Sequence, residues 1–69
     1  MTISYNKLWK LMIDRKIKKV QLKNMAKLGS TTLAKLGKDE PVSMDVLIRI
    51  CQSLRVNIGD IMDVNQDDQ

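Results

Sequence analysis

The 69-residue chain contains no histidine and no phenylalanine, and one each of cysteine, tryptophan, tyrosine and proline. Without histidine, imidazole acid–base chemistry and most zinc-site types are excluded. A single thiol, Cys51, supports neither an intramolecular disulfide nor a cysteine-rich metal site. With so few aromatics, the core must be built from Leu, Ile, Val and Met, which suits packed helices better than a sheet. A chain this short buries only about 60% of its unfolded surface, so one small domain is expected. No apolar run approaches the roughly 18 residues of a membrane span and no secretion signal is visible, which makes the cytoplasm the expected compartment.

The same scarcity applies to catalysis. Ser30 and Ser43 have no histidine to activate them. Asp39 and Glu40 flank a proline loop, and Asp67 and Asp68 lie in a polar tail. Gly29 and Gly37 do not make a phosphate-binding loop motif. Neither an enzyme nor a cofactor is expected.

Acid is scarce in one half only. From Lys7 to Lys38 stand ten basic residues (Lys7, Lys10, Arg15, Lys16, Lys18, Lys19, Lys23, Lys27, Lys35 and Lys38) and one acid, Asp14. From Asp39 onward there are seven acids and two bases, Arg49 and Arg55. A chain polarised this way should present one basic face, and a polyanion is its natural partner.

The basic half holds a recognisable unit, KKVQLKNMAKLGSTTLAKL, from Lys18 to Leu36. Leu22, Met25 and Ala26 fall at i, i+3 and i+4 on one helix, and Leu33 and Leu36 repeat that spacing on a second. Between them, Leu28 is apolar inside a turn, where it can plug the angle between the helices. Gly29 then serves as the N-cap of the second helix. Two short helices joined by a turn of about three residues form a helix-turn-helix.

Around this unit the remaining elements follow from periodicity and punctuation. Ser4 caps a helix from Tyr5 to about Lys16, with Tyr5, Leu8, Trp9, Met12 and Ile13 as its stripe and Leu11 at the edge. Trp9 falls on that stripe and is read as core or core-edge packing. Helix 2 runs from about Val20 to Lys27, and helix 3 from Ser30 to Gly37, where glycine suits a helix stop. Ser43 caps a fourth helix carrying Val46, Leu47, Ile50, Cys51 and Leu54, with Cys51 read as a small buried hydrophobe. Asn57 caps a short fifth helix through about Asp63, with Ile58, Ile61 and Met62 apolar. The expected fold is all-α, five short helices over residues 1–64, followed by a polar acidic tail over 65–69.

The sequence resembles the Cro/phage-repressor type of helix-turn-helix domain, also called XRE, in a short bacterial branch whose chains are little more than the domain. The resemblance runs from Ser4 to Val64. It rests on the opening SYNKLWKLMIDRKIKK, the run TLAKLGKDEPVSMDVLIRIC and the ending IGDIMDV. It implies a lambda-repressor-like bundle and double-stranded DNA as partner, with the region of Lys18 and Lys19 meeting the DNA backbone. Two departures mark the turn: Lys27 stands where the family often has Gly, and Gly29 where it usually has Ser or Thr.

Such a unit places its second helix in the major groove with its N-terminal residues at base edges. Ser30, Thr31, Ala34 and Lys35 occupy the outward face and are the candidate base contacts. Ala34 suits a thymine methyl, and Lys35 suits guanine O6 and N7. Lys19, Lys27 and Lys38, with the helix start at Gly29 and Thr32, are the candidate phosphate contacts. The outward face lacks Arg, Gln and Asn, so modest direct readout and a large phosphate contribution are expected. Ile58, Ile61, Met62 and Val64 either join two subunits on DNA or close the monomer's own core. The rival reading is a protein-interaction module, such as an antitoxin or a regulator's adaptor.

Overall fold

The computed structural model describes residues 2–66. Its elements are β1 (Thr2–Ser4), α1 (Asn6–Asp14), α2 (Lys19–Met25), α3 (Ser30–Gly37), α4 (Met44–Leu54), a 3-10 turn (Ile58–Asp60) and β2 (Asp63–Asn65). The all-α expectation of five helices is thus corrected to four α-helices, one 3-10 turn and a two-stranded sheet. Within the expected fifth helix, Asp60 N–H reaches Asn57 O at 2.9 Å and Ile61 N–H reaches Ile58 O at 3.1 Å, so the chain turns once in i→i+3 steps. It then extends, and β2 pairs antiparallel with β1, setting Ile3 opposite Val64 and Ser4 opposite Asp63. The expected acidic tail divides: Asn65 ends β2, while residues 67–69, including Asp67 and Asp68, lie outside the described residues. No helix among the described residues is long and apolar enough to cross a membrane.

The core is aliphatic with one tyrosine at its edge: Leu8, Met12, Leu22, Ala26, Leu28, Leu36, Val46, Leu47, Ile50, Leu54, Ile61 and Tyr5. The α4 face matches its sequence stripe, except that Cys51 is half-buried. The α1 stripe is narrower than expected. At about 100° per residue, the inward direction lies between Leu8 and Met12, so Leu11 and Trp9 flank it about equally and Ile13 falls well outside. Burial agrees: Leu11 and Trp9 are half-buried at the core edge, and Ile13 is 74% exposed. On α2 the same geometry buries Leu22 and Ala26 but leaves Met25 46% exposed.

Every α-helix ends in the same way. Lys16, Lys27, Asp39 and Arg55 adopt left-handed backbone, with φ between 54° and 57°. The residue after each donates its N–H back five positions: Ile17 to Met12 O, Leu28 to Lys23 O, Glu40 to Lys35 O and Val56 to Cys51 O, at 2.8–3.0 Å. This is the Schellman closure, a position where glycine is usual because it has no Cβ to clash. None of the chain's glycines has positive φ. Gly37, expected to stop α3, is instead its last helical residue, and Asp39 makes the turn.

Asp39 does more than turn. Its carboxylate accepts from the Tyr5 N–H at 3.0 Å, and the Tyr5 hydroxyl donates to Glu40 O at 2.9 Å. The loop after α3 is thereby fastened to the start of α1. Burial, and then the Asp39 charge, push the Tyr5 phenol above its ordinary pKa.

Left-handed backbone costs a non-glycine residue roughly 1–2 kcal/mol, offset in part by the extra unfolded-state freedom that glycine brings. Lys16→Gly is therefore expected to raise stability by up to about 0.5 kcal/mol, once the lost attraction of the cation to the helix dipole is subtracted. Asp39→Gly relieves the same backbone but removes the acceptor for Tyr5, and is expected to bring no gain. Urea unfolding of the two variants checks this; a loss of stability in Lys16→Gly would refute the account of the helix ends.

Candidate nucleic-acid interface

Leu22 and Ala26 face inward on α2, and Leu28 is only 6% exposed, filling the angle between α2 and α3 as its sequence position suggested. Lys27 takes the left-handed turn position itself. Gly29 does not replace it: with φ −79° and ψ 162° it is an extended N-cap that any residue can adopt. The two departures from the family pattern therefore leave the helix-turn-helix backbone closed.

The carboxyl end of α2 is held from below by α4. Ser53 Oγ donates to Met25 O at 3.2 Å, and the Arg49 guanidinium donates to Lys27 O at 2.9 Å. Arg49 is oriented by Asp45 one turn earlier, with a 3.1 Å ion pair. Neither Arg49 nor Ser53 was singled out from the sequence. An arginine at the edge of the α4 apolar stripe, four residues after an acid, was the available signal.

Ser30, Thr31, Ala34, Lys35 and Lys38 are all exposed. At about 100° per residue they span an arc of about 140°, and Leu36 lies opposite its middle. Leu36 is fully buried, while Thr32 and Leu33, which flank it, are half-buried. Leu33 is thus less deeply inserted than its spacing suggested. Gly29 has no side chain to cap the first turn of α3, so the leading amides of that turn have no side-chain acceptor.

The basic side chains sort into distinct roles. Lys27 and Lys38 are exposed at the two ends of α3's neighbourhood, in the turn and at the C-cap. Lys19 is exposed and its ammonium lies 4.9 Å from the centre of the Trp9 ring, which fixes where that charge sits. Lys7 is committed elsewhere, to Asp63 at 3.0 Å and Gly59 O at 3.1 Å. Lys23, which sequence reasoning counted but did not place, donates to Ser30 Oγ at 2.9 Å. The two are seven residues apart across a turn, and no periodicity marks such a pair.

At the carboxyl end, Ile61 is fully buried and Met62 half-buried against the core. Ile61 is therefore corrected from candidate subunit contact to monomer core. Ile58 and Val64 remain 41% and 52% exposed. Burial, and then the charge of Asp60, raise the Cys51 thiol's pKa, the opposite of what a reactive thiolate needs.

A family model described as Cro/C1-type HTH DNA-binding domain matches residues 7–67. The chain belongs to this family. It is also similar to the crystal structure of the transcriptional regulator VanUg, with 50% sequence identity and a TM-score of 0.87, over 90% of this chain and 83% of that one. No match was found among curated proteins.

The geometry of α3 separates folding from surface chemistry. Leu36→Ala is expected to cost about 2–5 kcal/mol, enough to unfold much of a domain this small. Lys35→Ala, at the edge of the exposed arc, is expected to stay within about 0.5 kcal/mol of the parent. Thermal unfolding of both variants tests the orientation; equal losses would mean α3 is rotated from the placement described.

Proposed function

We propose that the chain is a sequence-specific, DNA-binding transcriptional regulator acting as a repressor, with α3 lying in the major groove. The observation that carries this reading is the exposed arc Ser30, Thr31, Ala34, Lys35 and Lys38, set directly opposite buried Leu36 in the basic half of a Cro/C1-type domain. Ser30, Thr31, Ala34 and Lys35 are the base contacts. Lys19, Lys27 and Lys38 neutralise phosphates, and the first turn of α3, from Gly29 to Thr32, offers amide donors to a phosphate.

The test is competition binding with a duplex selected from a random pool, against random duplex. Thr31→Ala and Lys35→Ala are each expected to weaken the selected site by about 1–3 kcal/mol and to relax preference at one or two positions. Lys19, Lys27 and Lys38 variants lacking the charge should weaken all sequences alike and flatten the salt dependence, by close to 0.9 per lost phosphate contact. Full retention of sequence preference in the Thr31, Lys35 double variant would remove α3 as the reader.

One such domain covers a single half-site, and paired half-sites are the usual route to tight specific binding. The exposed residues Ile58 and Val64, beside half-buried Met62, supply an apolar surface at the carboxyl end for a second copy. Sedimentation with a duplex carrying two half-sites is expected to show two chains per duplex, with Ile58→Asp reverting to one. Strict one-to-one occupancy by the parent chain would exclude the homodimer.

A further inference from the structure

We infer that Lys23 and Ser30 act as a paired donor that selects a guanine at the position read by the start of α3. This rests on the assignment of α3 as the DNA-reading helix and adds what its first residue reads. A serine hydroxyl both donates and accepts, so alone it discriminates poorly between base edges. Here Lys23 tips the balance toward donation. Its ammonium has three donors and no acceptor, so in the 2.9 Å contact the Ser30 oxygen must accept. The hydroxyl proton is then directed away from Lys23.

Three features leave this pair available. Ser30 is exposed, and as the first residue of α3 its hydroxyl is not used to cap the helix, since Gly29 holds the N-cap. The partner of Lys23 is a neutral hydroxyl, so its charge is not cancelled by the contact. The ammonium keeps two further N–H donors beside the serine O–H. The result is three donors, two N–H and one O–H, set against the single lone pair left on the serine oxygen.

Among the four major-groove edges, only guanine offers two adjacent acceptors, O6 and N7. Adenine pairs its N7 with the N6 donor, cytosine presents the N4 donor, and thymine offers O4 beside a methyl group. A cationic pair rich in donors therefore matches guanine and disfavours the amino groups of adenine and cytosine. Without Lys23, Ser30 is left with one donor and two lone pairs, and adenine becomes tolerable. Phosphate oxygens share guanine's acceptor chemistry, so the experiment must tell the two apart.

The parent chain and the variants Lys23→Met, Lys23→Arg and Ser30→Ala are each used to select sites from a random duplex pool. The selected site is then titrated with guanine or 7-deazaguanine at each guanine position. Lys23→Met keeps the aliphatic stem of a half-buried side chain, and Ser30→Ala is an exposed change, so each reports independently on the pair. The parent is expected to require guanine at one position and to lose roughly tenfold when N7 is removed there. Lys23→Met should lose about that preference, accept adenine and become insensitive to the 7-deaza change; Lys23→Arg should keep guanine. Unchanged guanine preference in Lys23→Met would overturn the inference. So would equal weakening on selected and random duplex, the signature of a phosphate contact. A parent chain that selects no sequence at all would instead overturn the assignment of α3, and the pair with it.

Discussion

Short helices consist largely of their ends, and the closing of helix ends is the constraint on which this structure depends. The α-helices are 7 to 11 residues long. Each leaves four carbonyls at its carboxyl end without an intrahelical partner. The chain answers with four left-handed residues and four back-reaching amides, and with side chains from neighbouring elements. Arg49 and Ser53 of α4 serve the end of α2, and the Arg15 guanidinium donates to Leu54 O at the end of α4. The bonds that satisfy one helix therefore also set the position of the next. The buried face of α4 supplies the area, and its polar edge holds the turn between α2 and α3 in place.

This closure explains the chain's use of lysine and arginine. Three of the four left-handed residues, Lys16, Lys27 and Arg55, are basic. Each is followed by an aliphatic residue, Ile17, Leu28 or Val56, which packs on or in the core. The pair performs two tasks at once. The aliphatic residue anchors the turn, and the cation sits at the negative end of the helix dipole with its side chain in water. Glycine would relax the backbone but leave no charge. In the turn between α2 and α3 that charge is Lys27, beside the start of α3, so the turn retains a cation where glycine would have none.

Much of this was legible from the chain. The bounds of α3, the Gly29 cap, the Leu28 plug and the α4 face all follow from periodicity and capping chemistry, because those signals are local. The small sheet was not legible, since Thr2–Ser4 and Asp63–Asn65 are too short for an alternating pattern and lie at opposite ends of the sequence. The width of the α1 stripe was overread at Ile13, because apolar spacing alone does not say which residue points most directly inward. The polar network escaped for another reason. Tyr5 to Asp39, Arg49 to Lys27 and Lys23 to Ser30 are pairings between elements. Their residues look like ordinary surface positions until the helices are packed.

The outward face of α3 is chemically modest, with Ser30, Thr31 and Ala34 ahead of a single lysine at Lys35. Small side chains let a helix backbone come close to base edges, but they carry little charge or directional preference of their own. The missing character is supplied from outside the helix. Lys23 reaches over from α2 to Ser30, and Lys27 stands in the turn just before it. In the proposed reading of DNA by α3, a surface divided in this way is sensitive to the angle between α2 and α3, because its donors belong to different elements. That angle is held by Leu28 below and by Arg49 and Ser53 behind. The bonds that close the end of α2 are therefore also the bonds that keep its lysine in register with the first residue of α3.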